Sequence, residues 1–415
     1  MNNTRWKLPF FTIWIGQALS LLGSAVGRFA LVWWVTELTG SAIILTTATL
    51  VTIIPNIIIS PLAGAYIDRW NRRVVMLVAD SFIALVSLSL AYLFWTEQMQ
   101  IWHVFAASFL RSLGSTFHGP SMSASTSLMV PKEHLSRVGG MNHTLGGILG
   151  MTGPVLGALA ISIMPLHHVM LVDVATALFA IVPLFFIQIP QPEKISEKIK
   201  TSIWRDVREG FRYIWSWKGL FILMCMAAFS NFFYNPIISL LPLHVLKYFG
   251  GGAVQLGWLQ SAQGIGIVLG GLLLSLWGGF TKRIHTTLLG ATLQGAATIA
   301  FGLMSPDYFY IALVIWGFAF FSNVFYNGPL FALLQAVVKP EMQGRVFTAQ
   351  QSMVWVAWPL SLIIAGPVAD NVGVQSWIVI GGAALLIMGI MGFLIPSVIQ
   401  FEEKEENKIT TDVHR

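Results

Sequence analysis

Charge is what this sequence has least of. Asp, Glu, Lys and Arg make up 10% of its 415 residues, hydrophobic residues 55%, and mean hydropathy is +0.72. Soluble domains carry about a quarter charged residues, so this chain cannot cover a water-facing surface. From Gly210 to Pro306 there is no Asp or Glu at all. Cysteine is nearly missing too. Cys225 stands alone inside an apolar run, which excludes a disulfide framework and a cysteine metal site. The chain also has no Walker-type phosphate loop, dinucleotide fingerprint, metal-ligand spacing or nucleophile–base pair. These absences remove ATP as a direct energy source, imply no cofactor and no metal, and argue against an enzyme.

What is present is a succession of apolar runs, each about 20 residues long and able to span a hydrocarbon core. Twelve spans are expected, at 10–37, 42–66, 74–96, 100–121, 138–163, 166–189, 219–246, 254–279, 284–304, 308–331, 345–369 and 374–398. The expected fold is an all-α polytopic membrane protein of twelve transmembrane helices in two six-helix halves. The halves are 1–189 and 219–399, joined by a polar linker at 190–218 and followed by a polar tail at 400–415. Arg5 and Lys7 precede the first apolar run as in a signal peptide. That run continues to about Leu38 without a small-residue cleavage site, so it reads as a retained helix.

The net charge of +6 and pI near 9.5 would suggest nucleic acid in a soluble protein. Here the cations orient the chain instead. Arg69, Arg72, Arg73, Lys132, Arg137, Lys282, Arg283, Lys339 and Arg345 all fall in loops on the side of the termini, and only Lys247 falls opposite. Positive loops stay inside, which puts both ends in the cytoplasm of a cell membrane.

The halves echo each other. Val130-Pro-Lys-Glu133-His-Leu-Ser-Arg137-Val138 and Val338-Lys-Pro-Glu341-Met-Gln-Gly-Arg345-Val346 both read V-x-x-E-x-x-x-R-V, after Gly119-Pro120 and Gly328-Pro329. A duplicated six-helix unit with a site at the midplane suits a secondary transporter. In the linker, Ser202 to Trp217 alternates aromatic and cationic residues, the pattern of an amphipathic helix at the headgroups.

The segment Gly64-Ala-Tyr-Ile-Asp68-Arg69-Trp-Asn-Arg72-Arg73 lies between two apolar runs. It resembles the signature loop of the major facilitator superfamily, G-x-x-x-D-R-x-x-R-R/K, with Asn71 where a second glycine is usual. Leu38-Thr-Gly-Ser-Ala42, Arg111-Ser-Leu-Gly114-Ser-Thr-Phe117, and Tyr248 to Gly257 with Gly264-Ile-Gly266 are similar to the third drug–proton antiporter family, which includes macrolide exporters. The chain departs from that pattern in two places. Ser24 stands where many relatives have an acid, and only Lys282-Arg283 remains of a second arginine-rich loop.

The resemblance implies a proton-coupled exporter of hydrophobic or amphiphilic drugs that works by alternating access, macrolides being the leading cargo. Its partners would be a small amphiphile, protons and membrane lipids, with a monomer expected, in a bacterial cell membrane. Export of a lysolipid or siderophore is the alternative. A non-transporting scaffold or sensor would not need the duplicated loops.

Several residues are candidates for mechanism. Gly64 would let helices approach closely. Asp68 would meet the positive end of the eleventh helix near Arg345. Arg69, Arg72 and Arg73 would clamp Glu133, Glu341 or lipid phosphates, with Arg137 in the matching loop. A solvated topogenic cluster is the plainer reading of the arginines. An arginine inside a membrane costs about 2.5–3.5 kcal/mol on insertion scales, so Arg111 should face a cavity or a partner. Arg28 shares a helix face with Gln17 and Ser24 and should face the same cavity. The acids near spans are Glu37, Asp80, Asp173 and Asp370. Asp80 and Asp173 read either as structural pairs or as proton sites, and Glu37 as a proton site or an interfacial charge. His118 and His143 read by default as ordinary core residues. Glycines 146, 150, 153 and 157 share a face of the fifth span, which suits close packing. A ring-lined cargo cavity is expected from Phe232, Tyr234, Trp316 and Phe320, with the amides Gln17, Asn323 and Asn327.

Overall fold

In hydrocarbon every backbone N–H and C=O must be satisfied within the protein, and the α-helix does so segment by segment. The computed structural model describes residues 6–67, 70–191, 203–338 and 340–400, and helix is the dominant element throughout. The helices are α1 (Lys7–Thr39), α2 (Ala42–Ile67), α3 (Arg72–Trp95), α4 (Ile101–Met129), α5 (Lys132–Ile163), α6 (Leu166–Phe186), α7 (Ile203–Ser216), α8 (Lys218–Lys247), α9 (Ala253–Trp277), α10 (Arg283–Leu303), α11 (Phe309–Val337), α12 (Pro340–Val372), α13 (Val374–Leu394) and α14 (Pro396–Ile399). No strand occurs among the described residues. Among the described residues, eleven helices are long and apolar enough to cross a membrane. The fourth of the twelve long helices, α4, has the length at 29 residues but carries Arg111, two histidines and many serines.

Two boundaries differ from expectation for one reason. The stretches 122–137 and 332–344 hold polar runs and were expected to be loops. Helix α4 instead runs on to Met129 and α11 to Val337, and α5 and α12 begin at once at Lys132 and Pro340. Polarity does not break a helix. Proline at or just before its first turn does start a new one, and Pro131 and Pro340 stand there. The repeated V-x-x-E-x-x-x-R-V thus opens two helices, with Glu133 in a first turn where the helix dipole favours an acid.

The chain divides into two compact units: Met1–Gly40 with Thr47–Ile199 and Gly252–Ser261, and Ser41–Thr46 with Lys200–Gly251 and Ala262–Arg415. In the first unit α1 is the central post. Gly16 and Gly23 lie against Phe179 and Thr176 of α6, and Gly27 lies beside Asp173, so a side chain at Gly16 or Gly23 would occupy space already held by α6. Gly153 and Gly157 of α5 face Ala25 and Phe29 of α1, whereas Gly146 and Gly150 meet open space. The expected four-glycine face therefore packs over only its second half.

In the second unit α10 is the post. Gly290 lies against Phe325 and Tyr326 of α11, and Gly295 against Gly382 and Leu386 of α13. Asp370, near the end of α12, accepts from Ala42 N at 2.7 Å, Ile43 N at 3.0 Å and Ser41 Oγ at 2.8 Å. A carboxylate from a distant helix thereby caps the first turn of α2. The linker forms the short helix α7, whose Gly210 touches the backbone of Arg345.

These contacts set a packing test. Gly23→Leu should lower stability by at least about 2 kcal/mol through overpacking against α6, while Gly146→Leu should leave it unchanged. Thermal unfolding of the two variants in detergent checks this.

Candidate functional site

The polar side chains of the first unit collect in two layers. In one, Asp173 of α6 is 2% exposed and wholly occupied. Its Oδ1 accepts from Ser24 Oγ at 2.8 Å, and its Oδ2 accepts from Ser87 Oγ at 2.8 Å and from Arg111 Nη1 at 2.5 Å. Arg111 Nη1 also donates to Ser87 Oγ. Four helices meet at one carboxylate. A buried ion pair holds only if its remaining lone pairs and protons are satisfied, and the two serines supply that.

In the other layer, Asp80 of α3 is 6% exposed. Gln17 Nε2 donates to its Oδ2 at 2.8 Å, and His118 Nε2 lies 3.3 Å from its Oδ1. The layers repeat by sevens: Gln17 and Ser24 on α1, Asp80 and Ser87 on α3, His118 and Arg111 on α4, the last in reverse chain order. Seven residues rise about 10.5 Å along a helix. Midway on α4 sits Gly114, where a Cβ would meet Ile83 Cγ1 of α3 at 2.8 Å. Glycine there brings α4 close enough to α3 to make both layers. On another face of α4, Asn56 of α2 donates to Ser112 Oγ at 2.8 Å and accepts from Thr116 Oγ1 at 3.0 Å.

The remaining expected residues fall into distinct settings. Arg28 is exposed and has no ion-pair partner among the described residues. Arg28 still lies near enough to Arg111 and Asp173 for their charges to act on it, while Arg111 itself turns inward to Asp173, its side chain 13% exposed. Glu37 is exposed at the end of α1. Asp68 and Arg69, the surroundings of Gly64 and the side chain of Glu341 lie outside the described residues. Arg72 and Arg73 do not clamp Glu133. Arg72 is buried and donates to the Ala124 carbonyl at 3.0 Å, while Arg73 donates to the carbonyls of Leu184 and of Phe185, the latter at 2.6 Å. Both tie the start of α3 to its neighbours. Asn71, in the place of a glycine, caps α3 by accepting from Arg73 N at 3.1 Å. Glu133 and Arg137 are exposed, and Arg345 pairs with Glu209 of α7 at 2.9 Å.

The aromatic expectation is corrected. Trp316, Phe320 and Tyr234 belong to the packed core of the second unit, with Trp316 fully buried between Phe301 and Phe320. Rings recurring at helical spacing on a membrane helix carry no sign of whether they face a cavity or a neighbour. Phe232 is half-buried against Phe233. Asn323 donates to Gln294 at 3.2 Å, and Asn327 is exposed. An apolar groove of 670 Å³ runs between α8 and α13, lined by Cys225, Phe229, Phe233 and Ile387 among others. Sequence reasoning singled out neither Ser87 nor the pairing of His118. The step of seven shared by three helices was the signal available.

Removing one partner of the Arg111–Asp173 pair should be costly. Arg111→Ala should cost about 3 kcal/mol by leaving Asp173 buried and unpaired, and Arg111→Ala with Asp173→Ala should recover much of it. A double-mutant cycle on thermal unfolding reads this directly.

The family of this chain follows from comparison. The profile described as Major Facilitator Superfamily matches residues 13–362. Macrolide efflux protein A of Streptococcus pyogenes is 33% identical over 399 residues, spanning 96% of this chain and 98% of that protein. Multidrug efflux pump Tap of Mycolicibacterium fortuitum is 24% identical over 97% of this chain and 99% of its own length. A bacterial homologue of the iron transporter ferroportin shares the fold at a TM-score of 0.73 and 15% identity, over 95% of this chain and 98% of that one. With twelve long helices, buried intramembrane charge and a superfamily match over most of its length, the chain belongs to the Major Facilitator Superfamily of membrane transporters.

Proposed function

We propose that this protein exports hydrophobic or amphiphilic drugs, macrolides first among them, across a bacterial cell membrane in exchange for protons. The observation that carries the reading is the near-full-length similarity to Macrolide efflux protein A. Two features of the first unit agree with it. Buried charge is dear in a membrane and is kept where transport needs it, and Arg111, Asp173, Asp80 and His118 are all held within one bundle. The cationic loops support termini that lie in the cytoplasm. The signature loop, Gly64, Asp68, Arg69, Arg72 and Arg73, with Glu133 and Arg137, serves gating in the first unit, and Glu341 and Arg345 serve it in the second. Its arginines act partly by fixing helix ends, as Arg72 and Arg73 do through backbone carbonyls. Alternating access by the two units then exposes one cavity to each side in turn.

Arg28 favours a second reading of the cargo. An exposed guanidinium on the first helix, within electrostatic reach of Arg111 and Asp173, attracts an anionic or zwitterionic amphiphile and repels a cationic macrolide. A lysolipid or a siderophore fits that chemistry.

Uptake of radiolabelled macrolide into inverted vesicles, with and without a pH gradient, tests the first reading. Gradient-dependent uptake is expected in the wild type, and its absence in a folded, inserted protein rejects macrolides. Arg28→Ala separates the two cargoes. It should leave macrolide uptake equal or faster, whereas loss of competition by an anionic lysolipid in this variant would favour the second reading.

A further inference from the structure

The two buried layers of the first unit differ in a way that assigns them different work. In the layer around Asp173 every acceptor position that faces the protein is taken, by Ser24, Ser87 and Arg111. Arginine keeps its proton at any physiological pH. Asp173 is therefore held by a permanent cation and two hydroxyls, and the layer has one arrangement of donors and acceptors.

The layer around Asp80 has more than one. Histidine is the side chain whose charge changes between about pH 5 and 8. His118 Nε2 is buried and within ion-pair distance of Asp80 Oδ1, but no hydrogen bond aligned on it fixes the contact. Gln17 holds the other carboxylate oxygen at 2.8 Å and so fixes Asp80 in place while leaving Oδ1 for the imidazole. The pair can stand as a carboxylate beside a neutral imidazole or as a carboxylate beside an imidazolium. The difference is one proton and one unit of charge. With groups this close the titration belongs to the pair rather than to either residue.

The surroundings leave this proton little competition. On α1 the facing group is the neutral amide of Gln17, and Arg28 lies three turns further along. On α2, Asn56 serves Ser112 and Thr116, and Ala63 packs near Phe117. On α3, Arg72 and Arg73 lie two turns nearer the helix start and donate to backbone carbonyls. On α4, Arg111 lies two turns away in the opposite direction, and on α6 Asp173 is bound to it. From the helix ends nearest the N-terminus, Gln17, Asp80 and His118 lie ten, eight and eleven residues deep, about 12–17 Å at the rise of an α-helix.

We infer that the Asp80–His118 pair carries the exchanged proton, His118 taking it on Nε2 and Asp80 holding the resulting charge, while Arg111–Asp173 is a fixed countercharge. This rests on the proton-exchange reading above. The step balances simply: a neutral imidazole gains one proton from water on the side where cargo leaves, and gives it back to water on the side where cargo enters. Gln17 is a positioning residue.

Two measurements on the full-length protein test it. The first needs no cargo. ¹⁵N-histidine NMR of the purified wild type, compared with His118→Gln, isolates the His118 signal. Its response to pH should change in Asp80→Asn, the two groups sharing one proton. A His118 signal that responds to pH alike in the wild type and in Asp80→Asn overturns the inference. The second uses proteoliposomes and a macrolide. Asp80→Asn and His118→Gln should lose macrolide-evoked proton release yet keep gradient-free counterflow within about twofold of wild type. Unchanged proton release in both variants overturns the inference. If Asp80→Asn fails to fold, Gln17→Leu replaces it and should move the pH midpoint of release; an unmoved midpoint counts against the inference. Wild type with counterflow but no evoked proton release would overturn proton exchange itself, and this pair's role with it. Wild type without counterflow would reject the macrolide as cargo, and the NMR titration alone then decides for or against the pair.

Discussion

One carboxylate sets the geometry of the first unit. Asp173 is charged inside a layer where charge is expensive, and it is tolerable because three donors from three other helices reach it. Those donors are a serine, a serine and a guanidinium, two of them short. Helices α1, α3 and α4 must therefore come close to α6 or to each other, and glycine is what permits it. Gly23 and Gly27 of α1 lie directly against the turn of α6 that carries Asp173, and Gly114 lets α4 press against α3. The small residues and the buried charge are one arrangement: without the glycines the ion pair opens, and without the pair the close approach encloses an uncompensated anion.

The second unit is built on the opposite principle. No acid occurs between Gly210 and Pro306, the stretch that forms α8, α9 and α10. Cohesion there comes from rings and from glycine contacts along α10, with Trp316 meeting Phe301 at a tilt and Phe320 edge-on in the core. Those helices carry no acid, and their ionisable groups include His244 of α8, fully buried in the ring-lined core. On the exchange reading, a buried carboxylate beside a histidine is found in the first unit, at Asp80 and His118.

The helices were legible in the sequence because lipid imposes a length on each apolar run, and all twelve expected spans correspond to long helices. Their ends at 129, 132, 337 and 340 were not, because polarity marks the water boundary of a span and not the end of a helix; proline marks that end. The fourth helix is the instructive case. It reads as a span by its place between two others, and its composition falls short because it carries both Arg111 and His118. Partners were harder to read than positions. Arg72 and Arg73 bind carbonyls, which every residue has and no sequence pattern announces. Gly146 and Gly150 share a face with Gly153 and Gly157 but meet nothing, because periodicity defines a face without saying how far the neighbouring helix follows it. The pairing of Asp80 with His118 was within reach, since three helices repeat their polar residues by sevens.

That spacing also bears on how cargo and proton would communicate. The layers stand about 10.5 Å apart, and two unit charges at that distance interact by about 1.6 kcal/mol at an effective dielectric near 20. This is slightly more than one pH unit in the midpoint of a titrating group. While Arg111 and Asp173 remain paired, their charges act on the Asp80–His118 layer with opposite sign and nearly cancel. On the exchange reading, a cargo that drew the guanidinium away from Asp173 would end the cancellation and leave the Asp80–His118 layer under an unbalanced charge. A coupling of that size would change proton occupancy roughly tenfold without any contact between cargo and His118. The fixed pair would then be the element that lets the titratable pair sense the cargo, and the permanent charge of its arginine is what suits it to the task.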